Sequence, residues 1–406
     1  MTHTSCISIL VRRAGWRRAL ATLGLAGGLV WPVFAAAAPV FTPGALWPDA
    51  DGVHINAHGG GVLYHEGTYY WFGEHKVAGE AGNVAEVGVR VFASTDLHHW
   101  RDAGVALSVA EDPSSEIARG CIIERPKVIA CAATGRFVMW FHLEPRGAGY
   151  LGARSGVAVA THVTGPYRFQ GSLRPNAGVW PIDTPESLRR PLSEAEAGRL
   201  ADLNLRGGPV PGYPTDVIFR RDFEGGQMAR DMTLFVDDDG TAYHIYSSEE
   251  NGTLHISELT SDYERPAGRY VRVMPGRFHE APVMFKRDGR YWLITSGCTG
   301  WLPNEARLSV ADSIWGPWTE LGNPWRGPAE LTAVSYNSQS TFVFPVAGRR
   351  DAWVFMADRW QPDNAIDGRY VWLPVRFAAD GSPYLEWLDT WDLTAFEAAI
   401  DGAPSS

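Results

Sequence analysis

Glu124-Arg125-Pro126-Lys127-Val128-Ile129 sets a carboxylate at the mouth of a short apolar run. The run continues to Cys131, turns at Thr134-Gly135 and returns through Arg136 to His142, with Gly156-Val157-Ala158-Val159-Ala160 as a third extended segment. Arg230-Asp231-Met232-Thr233-Leu234-Phe235 and His279-Glu280-Ala281-Pro282-Val283-Met284-Phe285 open in the same way. Short apolar runs bounded by Gly-containing turns mark β-hairpins, and their recurrence marks a repeat.

Working outward, two more units share the plan. One runs through Gly60 to Tyr64, a His65-Glu66-Gly67 turn, Thr68 to Phe72, and Gly88 to Ala93. The other runs through Thr341 to Val346, a turn near Gly348, Ala352 to Ala357, and Tyr370 to Val375. Strand–turn–strand–loop–strand units predict an all-β fold, a five-bladed β-propeller, as a single domain over residues 39–402. The stretch from Pro175 to Gly226, with the helix-like Ser193 to Leu200, is expected as a loop and helical insertion between blades two and three. Two packed β-sandwiches are the rival, but no linker divides the units.

Propeller geometry gives the repeat a functional meaning, because the innermost strand of each blade lines the axis. Glu124, Asp231 and Glu280 are then expected together at one mouth of the channel. Gln339 holds the equivalent place in the last unit, and the stretch Ile55-Asn56-Ala57-His58-Gly59-Gly60-Gly61 holds it in the first. Converging carboxylates raise at least one pKa, which supplies a neutral acid at working pH.

A net charge of -10 and a pI near 5.7 argue against a nucleic-acid partner. The 17 Trp, 14 Tyr and 17 Phe suit a β core with a few rings left for stacking on a sugar. Residues 1–38 read as an export signal: Arg12, Arg13, Arg17 and Arg18, an apolar stretch from Ala19 to Val30, then Ala35-Ala36-Ala37-Ala38. The paired arginines suit twin-arginine export. The expected mature protein is periplasmic or secreted, without a membrane span, and monomeric. Cys121, Cys131 and Cys298 remain after Cys6, and an extended strand between the first two holds them too far apart for a disulfide.

The chain resembles glycoside hydrolase family 43. The resemblance rests on Ile55 to Gly61 with Tyr70-Trp71-Phe72-Gly73-Glu74-His75-Lys76, on Glu124-Arg125-Pro126-Lys127, on His279-Glu280-Ala281-Pro282 and on Ser338-Gln339-Ser340. It is most similar to the branch containing exo-β-1,3-galactanases. That resemblance implies inverting exo-hydrolysis releasing galactose from β-1,3-galactan or arabinogalactan side chains. It implies Glu280 as general acid and Asp231 as the group that tunes and orients it. Asn56 stands where the wider family carries an Asp base, and the resemblance gives the water side to Glu124 and Gln339 without choosing between them. Glu74, Thr299, Trp301 and Asn56 are the expected sugar contacts. A same-fold α-L-arabinofuranosidase or β-xylosidase, and an inactive sugar-binding propeller, are the alternatives. No cofactor is required. Asp237-Asp238-Asp239-Gly240 reads as a plain turn rather than a Ca²⁺ loop, so a structural Ca²⁺ has no motif, and the histidines lack metal-ligand spacing.

Overall fold

The computed structural model describes residues 39–201 and 208–397. The expected export signal over 1–38 and the end of the expected domain beyond 397 lie outside them. The described residues form six sheets, four of four strands and two of three. This corrects the expected five blades to six. The additional sheet is built from Trp325–Arg326, Arg376–Phe377 and Pro383–Glu386. Strands of two to four residues are too short to show the apolar runs between Gly-containing turns by which the others are legible.

The innermost strands of the remaining sheets are β1 (His58–His65), β2 (Ile122–Cys131), β3 (Met232–Val236), β4 (Glu280–Arg287) and β5 (Gln339–Pro345). They contact one another in a ring, β1 against β2 and β5, β3 against β2 and β4, and β4 against β5. Each pairs antiparallel with the strand that follows it.

Four of the five break register near their first residues: at His58/Gly61, Glu124/Lys127, Glu280/Val283 and Ser340/Phe342. A bulge adds a residue, bends the strand and re-aims the side chain before it. Gly59, Arg125 and Ala281 take left-handed backbone there, with φ of 61°, 56° and 52°. Pro126 and Pro282 follow at positions where a missing N–H costs the ladder nothing. The carboxylate-X-Pro pattern of the sequence is thus a bulge that turns a carboxylate toward the axis. At β1 the chain runs so close to its neighbours that only glycine fits. A Cβ on Gly59 would sit 2.1 Å from Glu74 Oε1, and one on Gly60 1.7 Å from the Phe72 carbonyl oxygen.

The core lies between sheets. Its largest cluster packs Trp71, Trp100 and Trp372, fully buried, with Phe41 and Trp391. The Phe41 N–H donates to the Trp391 carbonyl at 2.7 Å, tying the two ends of the described chain together. In the insertion, a helix α1 (Glu194–Ala201) starts at a capping box. The Ser193 hydroxyl accepts from the Glu196 N–H at 3.3 Å, and the Ser193 N–H donates back to Glu196 Oε2 at 2.8 Å. Cys121, Cys131 and Cys298 are free and buried. Among the described residues no helix is long and apolar enough to cross a membrane.

Candidate active site

The bulged ends of the inner strands open into a cavity of about 560 Å³ whose lining includes Glu124, Asp231, Glu280 and Gln339. Glu74, Trp301, Arg125, His142, Tyr150, Asn251 and Trp360 also line it. Below the site the axis is filled. The buried Lys127 donates from Nζ to the Gly59 carbonyl at 2.9 Å and to that of Arg125 at 3.3 Å, and a Cβ on Gly61 would strike both Lys127 and Phe342.

Arg125 organises one side. Its guanidinium lies over the Trp360 ring, 5.1 Å from the centroid. It donates to Asp231 Oδ2 at 2.9 Å, to Gln339 Oε1 at 2.6 Å and to the Ser340 carbonyl at 2.9 Å. Its backbone N–H donates to Glu74 Oε1 at 2.8 Å, while Glu74 pairs through its other oxygen with Lys76. Asp231 Oδ2 also accepts the Ala281 N–H at 3.0 Å, which ties it to the residue following Glu280.

Glu280 accepts from Asn251 Nδ2 at 2.6 Å. Burial, reinforced by the Asp231 charge, pushes its pKa up to about 8. The carboxyl is thus neutral at pH 7 and holds a proton to donate.

Glu124 is the opposite case. Burial opposes its ionisation, but the hydrogen bond from His142 Nδ1 at 2.9 Å with the His142 charge, the charge of Lys76 and the Asn83 Nδ2 donor at 2.9 Å outweigh it and hold its pKa well below the usual carboxylate range; the Tyr150 hydroxyl also donates to it at 2.7 Å. His142 bridges Glu124 and Glu144, the latter at 2.9 Å from Nε2. Burial alone lowers a histidine pKa, yet the two carboxylates lift this one to about 9. Two carboxyl groups in one cavity are thus pushed in opposite directions, which is the requirement for paired acid–base roles.

Gln339 is fully oriented. Its Oε1 accepts from Arg125 and from Trp360 Nε1 at 2.8 Å, and its Nε2 donates to Ser296 Oγ at 2.9 Å. Trp301, 42% exposed, meets Trp360 edge-on at 5.8 Å and stands at the cavity wall.

Two expected sugar contacts do not face this cavity. Asn56 is buried and spends its amide on the backbone of Lys76, accepting from its N–H and donating to its carbonyl, both at 2.8 Å. Thr299 donates to the Leu302 carbonyl and accepts from Asn304, both at 2.6 Å, and so closes its own loop. Conversely, Tyr150, Asn251 and Trp360 went unread, because they lie on loops with no period to mark them. Arg125 and His142 were visible, one inside the Glu-Arg-Pro-Lys motif and one directly across the ladder from Glu124.

Glu124, His142 and Asp231 each bring a ligand atom within 4.8 Å of the others. His142 is engaged by a carboxylate at both ring nitrogens and, protonated, has no lone pair for a metal. These residues do not fit a cation while His142 keeps both partners.

The family model for glycosyl hydrolases family 43 matches residues 215–383. A GH43 β-1,3-galactosidase, solved with galactodeoxynojirimycin, is 47% identical, aligned over 87% of this chain and 100% of its own, with a TM-score of 0.81. The exo-β-1,3-galactanase of Phanerochaete chrysosporium, solved with β-1,3-galactotriose, is 30% identical over 87% of this chain and 68% of its own, with a TM-score of 0.68. The β-D-galactofuranosidase xynD of Aspergillus niger is 30% identical over 146 residues, 36% of this chain. The match spans 41% of that curated relative.

Proposed function

The chain belongs to glycosyl hydrolases family 43, and on that premise we propose that it is an inverting exo-β-1,3-galactosidase that removes terminal galactose from galactan chains outside the cytoplasm. The observation that carries this reading is the pairing of a proton-holding Glu280 with an ionised Glu124 in one cavity.

Protonated Glu280 gives its proton to the glycosidic oxygen as the bond to the anomeric carbon breaks, and a water attacks the opposite face. Asp231 keeps the proton on Glu280 by its charge and anchors the backbone beside it through the Ala281 N–H. Of the two water-side candidates, Glu124 is favoured as the proton acceptor. The amide oxygen of Gln339 already accepts from Arg125 and Trp360, which holds it in the amide tautomer, with an N–H to offer but no base. Glu124 has about four acceptor positions and uses three. Trp301 supplies a face for the apolar side of a galactose ring. Export rests on the sequence of residues 1–38.

The test is incubation with β-1,3-galactobiose and the corresponding arabinoside, xyloside and galactofuranoside. Release of galactose alone supports the proposal. Preference for a pentoside or the furanoside refutes it.

A further inference from the structure

Glu249, Glu250 and Asn251 are three successive non-glycine residues in left-handed backbone, with φ of 52°, 58° and 65°. L-residues seldom adopt this conformation even singly, so a run of three persists only where the surroundings impose it. Here each residue is held separately. Glu249 is fully buried; its carboxylate accepts from Arg272 Nε at 2.6 Å, Arg272 Nη2 at 2.7 Å, His255 Nε2 at 2.8 Å and Thr253 Oγ1 at 3.1 Å. Glu250 accepts from Arg221 at 3.1 Å and from Arg230 at 3.4 Å.

Asn251 is what this clamp presents. Its Oδ1 accepts from Arg230 Nη1 at 3.1 Å, which fixes the amide so that Nδ2 points the other way, at Glu280 Oε1, 2.6 Å off. Its carbonyl accepts from the buried Cys298 thiol at 3.8 Å. A donor held on Oε1 makes that oxygen the carbonyl oxygen of the neutral acid and leaves the proton on Oε2.

We propose that Asn251, held by the left-handed turn and by Arg230, is a positioning residue for the acid: its amide fixes which oxygen of Glu280 carries the proton and where that proton points. The inference rests on the reading of Glu280 as general acid.

Two substitutions separate side chain from backbone. Asn251→Gly adopts the same φ without strain, keeps the turn and removes only the amide. Asn251→Asp keeps the shape and loses the donor. Both should lower kcat about a hundredfold on β-1,3-galactobiose, the scale expected when a reacting group is misplaced. On a nitrophenyl galactoside of low leaving-group pKa, where little proton donation is needed, the loss should shrink to a few-fold. The charged groups around Glu280 are Asp231, Arg125 and Arg230, the Cys298 thiol beside it is held neutral by burial and acts through a hydrogen bond, and the Gly variant leaves all four side chains in place. Because the amide hydrogen bond favours the carboxylate form, the basic limb of kcat/KM should move to higher pH in Asn251→Gly.

Glu280→Gln is measured alongside. If it shows the leaving-group dependence and the Asn251 variants lose equally on both substrates, or act through KM alone with an unmoved basic limb, the positioning role is overturned and the acid assignment stands. If Glu280→Gln itself shows no leaving-group dependence, the acid assignment falls and takes this role with it.

Discussion

Replacing Glu280 by Gln should make the protein more stable while removing its activity, and the gain should depend on pH. The carboxyl titrates near pH 8 in the folded chain, chiefly because it is buried and secondly because Asp231 is beside it, whereas an exposed Glu titrates at about 4.3. A group whose folded pKa is raised contributes its full stability below the unfolded value and loses it as pH rises toward the folded one. Wild-type stability should therefore decline from about pH 4.5 to pH 8, relative to a variant with no proton to lose. At pH 7 the folded group is still protonated and the unfolded one ionised, so the cost is on the order of 3 to 4 kcal/mol; at pH 4.5 it is below about 1 kcal/mol. Gln has the same shape and can still accept from Asn251, so little else changes. For a chain of this size the difference corresponds to roughly 5 °C in Tm at pH 7. Thermal denaturation of both proteins from pH 4.5 to 8 measures it. A Tm difference that stays constant across that range, or a variant that becomes relatively less stable as pH rises, refutes the raised carboxyl.

Other consequences are read kinetically. The basic limb of the wild-type kcat/KM profile should lie near pH 8, where Glu280 loses its proton; a limb below pH 6 contradicts the assignment. Asp231→Asn removes the charge that helps retain that proton, so the limb should move to lower pH by roughly one unit, as a pH–rate series will show. Glu124→Ala should regain activity with azide and yield a glycosyl azide of inverted configuration, whereas Gln339→Ala should not; rescue of the Gln variant alone reverses the choice of proton acceptor. Trp301→Ala should raise KM about fivefold with kcat nearly unchanged, a loss of roughly 1 kcal/mol of stacking, and an unchanged KM removes Trp301 from the sugar-binding wall.

The carboxylate-X-Pro openings were legible because one local device, a bulge with proline in a place that needs no N–H, repeats at Glu124 and Glu280. Short apolar runs between Gly-containing turns marked the inner strands, because these strands are buried along most of their length. The sixth sheet was not legible because Trp325–Arg326, Arg376–Phe377 and Pro383–Glu386 are too short to form an apolar run. Asn56 lies in a motif, but motif position does not tell where its amide goes: it braces the Lys76 backbone, next to the Lys76–Glu74 pair. Tyr150 and Asn251 come from loops, and their approach to Glu124 and Glu280 depends on packing that no spacing encodes.

The most direct test is to follow hydrolysis of β-1,3-galactobiose by proton NMR in the first minutes, before mutarotation. Attack of water on the face opposite Glu280 predicts α-galactose as the first-formed anomer, released from the non-reducing end. Initial β-galactose, or the absence of any free galactose under conditions where the protein is folded, contradicts the account.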